Sequence, residues 1–276
     1  MSDDFFSGIQ QIDIKAEEFE FKVPLFYRNM RSMLAVYPAH LSEIRRLMPD
    51  RRLSPAQLVP GIGAVMLGAL EYHDSGIGPY NEFSFAIMVN SPEFLALPGY
   101  NMMRQQLRMY NHVYIHRLPV DTRIALVGGL LFGFPKFMAT IEFDDTDQWT
   151  SCEVKKGKDL LWRLNGRKIP ATRSDEMRLF AHMYLQGQPI GLEFRLNVLE
   201  YGRSIKPADT ELELGNHPIA AELKNLLLSS KPLMYLNATK AQGMLFGPEG
   251  ISMPVLEQYL EGKLLGEVDE FVGQAG

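Results

Sequence analysis

Alternation of apolar and polar residues at a period of two is the feature that most limits how this chain can fold. In IGLEFRLNVLEY, Ile190, Leu192, Phe194, Leu196 and Val198 fall on one side, and in FMATIEF so do Phe137, Ala139, Ile141 and Phe143. Successive side chains of a strand point to opposite faces, so such runs build sheets with one buried face. HVYIHRL and AVMLGAL extend the pattern. Between these runs stand DSGIGPYNE, VNSPEFLALPGYN, FDDTDQ and KKGKD, rich in the Gly, Pro, Asn and Asp that turn a chain.

Helical spacing is confined to residues 40–49, 216–228 and 253–266, with Asn216 as the expected cap of the second and Pro218 in its first turn. Strands do not alternate regularly with helices, which argues against a doubly wound α/β sheet. The expected fold is mainly β, of the α+β class: a large antiparallel sheet closed into a barrel with a few peripheral helices. Residues 144–158, the most hydrophilic stretch, read as a hairpin or as a linker between halves; one domain over residues 1–276 is the expectation.

With 28 Lys and Arg against 33 Asp and Glu, the net charge is −5, and no basic block gathers on one segment. Nucleic acid is therefore not an expected partner, because neutralising phosphates needs clustered positive charge. The one cysteine, Cys152, has no partner for an intramolecular disulfide, which favours a reducing cytoplasm. The start, MSDDFFSGIQ, is acidic where a secretory signal is basic, so no export is expected. IALVGGLLFGFPKFMATI, residues 124–141, is long and apolar, but its three glycines, proline and lysine make a poor spanning helix, and no membrane partner is expected.

That segment also carries the chemistry. Its single charge is Lys136, and lysine is almost never fully buried unless paired. Burial disfavours an ammonium in general, and a neutral amine attacks ketones to give a Schiff base whose iminium drains electrons from the adjacent carbon. Taken alone, Lys136 reads more readily as a strand-edge lysine reaching past an apolar surface to water.

GGLLFGFPKF, preceded by LPVDTRIALV and followed by MATIEF, resembles the acetoacetate decarboxylase family, itself a standard example of an activated lysine. The family's Schiff-base lysine closes a Gly-x-x-x-x-x-aromatic-Pro-Lys segment, which runs here from Gly128 to Phe134, Pro135 and Lys136. Upstream, SGIGPYNE, Ser75 to Glu82, resembles the family's Ser-Gly-x-Gly-x-Tyr-x-Glu. The resemblance implies Lys136 as nucleophile, Glu82 as a nearby acid and base and Tyr80 as structural; Phe134 and Phe137, flanking the lysine, read as apolar neighbours of the amine and substrate. It also implies a homo-oligomer, with helix 253–266 either at a subunit contact or covering the barrel, and no cofactor.

Three departures from the family stand out. Phe137 stands where the decarboxylases carry a second lysine, and Gly129 and Leu130 replace an Arg-Glu pair. An ungapped alignment puts Met30 on an active-site arginine, with Arg28 and Arg31 flanking it as alternative carboxylate binders.

The implied activity is that of a carboxy-lyase decarboxylating a small, acetoacetate-like β-keto acid. The alternative is aldol condensation and dehydration on a 2-keto acid such as pyruvate. A third reading is a non-catalytic ligand-binding or regulatory protein built on a Lys136–Glu82 ion pair. His112 and His116 complete no recognisable ligand set, so no metal is expected. Gly61 to Gly68 departs from G-x-G-x-x-G, and no dinucleotide is implied.

Overall fold

The computed structural model describes residues 5–185 and 188–247. Its strands are β1 (Ile12–Ala16), β2 (Phe19–Val23), β3 (Leu25–His40), β4 (Gln57–Val59), β5 (Ile62–Ser75), β6 (Tyr80–Met88), β7 (Tyr110–Val120), β8 (Lys136–Met138), β9 (Thr140–Asp145), β10 (Trp149–Lys156), β11 (Asp159–Arg167), β12 (Arg173–Leu185), β13 (Gln188–Ser204), β14 (Thr210–Leu214) and β15 (Met234–Leu245). The helices are α1 (Leu41–Leu47), α2 (Tyr100–Leu107), α3 (Arg123–Leu131) and α4 (Pro218–Leu226).

Seven strands close a ring in the order β12, β13, β15, β3, β5, β6, β7, and β7 returns to β12. Every neighbouring pair in the ring is antiparallel except that closing pair, which is parallel, with Val113 opposite Ala181. The expected antiparallel barrel therefore holds with a mixed closure. A parallel pair needs a long crossover, and here α3 and β8 to β11 lie between β7 and β12 in the chain.

The crossover supplies β9 to β11 of a second sheet, β14-β11-β10-β9, against the outside of the barrel, and β14 joins it from beyond β13. Strand β6 shows how one sequence serves both layers. Ala86 belongs to the barrel-interior core with Met30, Ile115 and Val198, whereas Phe83, Phe85 and Ile87 pack outward against Cys152, Val154 and Trp162. Eight of its nine residues, all but Asn81, are buried, as expected of a strand covered on both faces. Each fully buried side chain of this size contributes roughly 1.5–3 kcal/mol.

The runs read as strands lie within β13, β7 and β5. Residues 137–143 instead divide at Ala139, because β8 pairs with β7 on the barrel while β9 pairs with β10 in the second sheet. Helices α1 and α4 lie where helical spacing put them, but the α4 cap is His217, whose Nδ1 accepts from the Ile219 N–H at 3.2 Å. Asn216 instead accepts a hydrogen bond from Lys224. Residues 144–158 form hairpin structure in the second sheet, not a linker. The expected helix at 253–266 lies outside the described residues. Among those described, no helix is long and apolar enough to cross a membrane.

Candidate active site

Lys136 owes its position to the way α3 stops. Gly133 takes a left-handed conformation, φ 78°, which glycine adopts without a Cβ penalty. Its N–H donates to the Leu130 carbonyl at 2.9 Å, and the Phe134 N–H donates to that of Gly129 at 3.0 Å. This paired 5→2 and 6→1 pattern is a Schellman motif, satisfying carbonyls that the helix end leaves open. Pro135 follows and cannot continue the helix. Lys136 then enters β8 opposite Leu118, with its side chain beneath the last turns of α3.

Glu82 comes from β6, opposite Leu70 on one side and Val120 on the other. The Lys136 Nζ lies 2.8 Å from Glu82 Oε2, and both residues are more than nine-tenths buried. The other oxygen, Oε1, accepts a hydrogen bond from the Tyr72 hydroxyl at 3.3 Å. Tyr27, Tyr72 and Tyr80 stack successively, with centroids 4.4 and 4.5 Å apart, and the Tyr27 and Tyr80 hydroxyls meet at 3.2 Å. Burial first, and the Glu82 charge as well, raise the pKa of all three phenols. They remain hydrogen-bond donors across the neutral range. The Nζ also lies 5.5 Å from the Tyr80 ring centroid and 5.8 Å from that of Phe134, within cation–π range.

The pair borders a cavity of about 140 Å³ inside the barrel, lined by side chains from all seven ring strands. Lys136, Glu82 and Phe134 line it, together with Ser32, Ser84 and Tyr72. Phe137, Arg28 and Arg31 do not line this cavity, and backbone geometry accounts for where each side chain goes instead. Phe137 follows Lys136 on a strand and so points to the opposite face, into the outer core with Ile141, Val154 and Trp162. On β3 a register shift falls between Tyr27 and Met30, so these two, three residues apart, both face the cavity. Arg28 is half-exposed beside Asp74, and Arg31 turns outward to Glu71 and Asp145. Arg31 lines a larger hollow of about 380 Å³ with Lys168 and Thr239, where Asp145 also pairs with Lys168.

Sequence reading missed Tyr72, Ser84 and Arg178. Tyr72 and Ser84 had a signal, since each lies two residues from a cavity-facing position on its strand, Leu70 and Glu82. Arg178 had none, because β12 reaches the cavity through its pairing with β13 and β7. It also lies over the Tyr110 ring and donates to Glu193. Among the described residues, no group of three or more His, Cys, Asp or Glu is placed to hold a metal.

Comparison with known proteins bears on this geometry. The sequence model of the family Acetoacetate decarboxylase (ADC) matches residues 15–235. The chain belongs to the acetoacetate decarboxylase family. The solved structure of an acetoacetate decarboxylase superposes with a TM-score of 0.60 at 17% identity, covering 83% of this chain and 89% of its own. Acetoacetate decarboxylase from Legionella pneumophila gives 0.58 at 14% identity, with 83% and 87% covered. The enduracididine biosynthesis enzyme MppR, complexed with pyruvate, gives 0.54 at 12% identity, with 82% and 88% covered. At these identities the structural likeness speaks for the fold. No curated protein matches the sequence.

Within the acetoacetate decarboxylase family, this member's departures have definite positions. Met30 faces the cavity, Phe137 faces away from it, and Gly129 lies against the Lys136 side chain. Family membership supports an enzyme.

Proposed function

We propose that the protein decarboxylates a β-keto acid through a Schiff base on Lys136. The observation that carries the proposal is the Lys136 Nζ to Glu82 Oε2 contact of 2.8 Å, buried at the wall of a largely apolar cavity. Nucleophile and proton acceptor are within hydrogen-bond reach, as general acid–base work requires. Glu82 takes the proton that the amine must lose, and the amine adds to the ketone at C3 of the substrate. Loss of water gives the iminium. The C1–C2 bond then breaks, its electron pair forms the enamine, and CO2 departs. Glu82, having given its first proton to the departing hydroxyl and taken another from solvent, protonates C2, and water hydrolyses the iminium to release a ketone and free Lys136. The Ser32 and Ser84 hydroxyls line the same cavity as donors for the carbinolamine oxygen.

Charge favours this reaction over aldol chemistry on a 2-keto acid. Two cationic residues, Lys136 and Arg178, line the cavity among the described residues, and each has a carboxylate partner, Glu82 and Glu193. While the iminium stands it balances a carboxylate on either substrate, but after hydrolysis an aldol product keeps its carboxylate in apolar surroundings without an unpaired cation, at considerable cost. A β-carboxylate instead leaves as neutral CO2, and its charge is cancelled by the iminium.

The same 2.8 Å contact suits the non-catalytic reading, in which the pair is a fixed buried ion pair. Borohydride trapping separates them. Incubation with a β-keto acid followed by reductant is expected to leave one adduct, on Lys136, that is absent from Lys136→Ala, with CO2 released before reduction. No adduct with β-keto or 2-keto acids would leave the ion-pair reading. An adduct with pyruvate but no CO2 from β-keto acids would assign aldol chemistry.

A further inference from the structure

The cavity is much more apolar than a small keto acid requires. Met30, Leu34, Met66, Met177, Leu179 and Leu196 form part of its wall, and they offer no hydrogen bond beyond weakly accepting thioethers. Among the polar groups that share the cavity, Tyr72 is engaged with Glu82, Tyr27 with Tyr80 and Arg178 with Glu193, and the Ser32 and Ser84 hydroxyls serve the reacting oxygen. Acetoacetate has one methyl group beyond its ketone and would leave most of that wall facing water. A wall of this composition binds apolar surface in proportion to the area it covers. Three of its six side chains are methionines, whose unbranched thioethers adapt to chains of varied shape.

Volume limits how long the apolar part can be. About 140 Å³ is close to the ~150 Å³ of an apolar cavity that accommodates benzene, a molecule of about six carbons. Some of that space belongs to the reacting carbons.

Resting on the Schiff-base reading above, we propose that the substrate is a 3-oxo acid carrying an apolar chain of about three to five carbons beyond the ketone, seated against Met30, Met66 and Leu196. The product is the corresponding apolar methyl ketone. The reaction consumes one proton and releases one CO2, and the water lost on forming the iminium is regained on its hydrolysis. A reaction that builds acyl chains by successive two-carbon additions is the class of chemistry that supplies such an acid.

The test is kcat/KM of the full chain for CO2 release from acetoacetate, 3-oxohexanoate, 3-oxooctanoate and 3-oxododecanoate, with borohydride trapping of each on Lys136. The expected result is a rise of roughly 4-fold per added methylene up to the six- to eight-carbon acids, then a fall for 3-oxododecanoate. Met66→Trp, which narrows the cavity, is expected to lower the ratio of 3-oxooctanoate to acetoacetate by about 10-fold or more. If that variant does not fold, the wild-type series decides alone. A flat or falling series, with Lys136 trapped by acetoacetate, overturns the apolar-chain inference and leaves the Schiff-base reading standing. Absence of any Lys136 adduct across the series overturns both.

Discussion

A Cβ placed on Gly129 would stand 2.1 Å from Cδ of Lys136 and 2.3 Å from its Cε. The helix residue that departs from the family's charged pair thus makes room for the reactive side chain. The atoms it would meet belong to a flexible side chain that can swing aside, and the atom displaced with them is the Nζ now 2.8 Å from Glu82.

Gly129→Ala is therefore expected to leave the fold intact and damage the chemistry. A displacement of about 1 Å at a reacting group costs on the order of 100-fold in rate. Thermal melting should shift by only a few degrees while kcat falls by about that factor. Unchanged kcat in a folded variant would show that Lys136 does not need this packing.

Glu82→Gln keeps the shape of the side chain and removes its capacity to take a proton. We expect kcat to fall by roughly 10²–10⁴-fold, the usual contribution of a positioned acid or base. Adduct formation in borohydride trapping should slow in parallel. Tyr72→Phe removes only the hydrogen bond to Oε1 and is expected to cost less than about 10-fold. Single-turnover measurement of CO2 release compares the two variants.

The barrel closes through histidines. His112 Nδ1 and His182 Nε2 are 3.1 Å apart on the outer face of the parallel β7–β12 pair, and Phe180 stacks on His112. Burial, then the neighbouring His112, lowers the His182 pKa to about 4 from 6.5, and burial also lowers that of His112. The unfolded chain therefore binds protons more readily, and the stabilisation is complete above pH 6.5 and lost as pH falls toward 4. Urea melts at pH 7.5 and 5.0 should differ by on the order of 2 kcal/mol from this source. His182→Phe should flatten that difference; an equally steep wild-type and variant would assign it to other groups.

Glu222 ties α4 to β7. Burial pushes its carboxyl up, but hydrogen bonds with His116 at 2.9 Å and Arg117 at 2.6 Å outweigh burial and hold the pKa at about 2. The pair's stabilisation is present above about pH 4.5 and disappears as pH drops to about 2. Glu222→Gln should cost roughly 1–2 kcal/mol at pH 7, since the group is partly solvated. The cost should shrink in melts at pH 3, and a penalty independent of pH would mean that packing rather than charge is lost.

What the sequence could disclose was local. Period-two alternation marked β5, β7 and β13 because a strand buried on one face must alternate. The Phe-Pro-Lys and Gly-Pro-Tyr-Asn-Glu segments located Lys136 and Glu82 through their resemblance to the acetoacetate decarboxylase family. Helix α3 escaped notice: Gly128 and Gly129 weaken helical propensity, and its nearly uniform apolarity shows no face.

What only tertiary structure decided was long-range. A register shift on β3 turned Met30 inward and both candidate arginines away, and no periodicity registers a bulge. The parallel β7–β12 closure brought Met177, Leu179 and Arg178 to a cavity whose lysine lies about forty residues earlier in the chain. The sequence determined which residues are chemically able to form a Schiff base. The tertiary structure determined what surrounds them, because a cavity is made by residues whose proximity depends on strand pairing and not on their spacing along the chain.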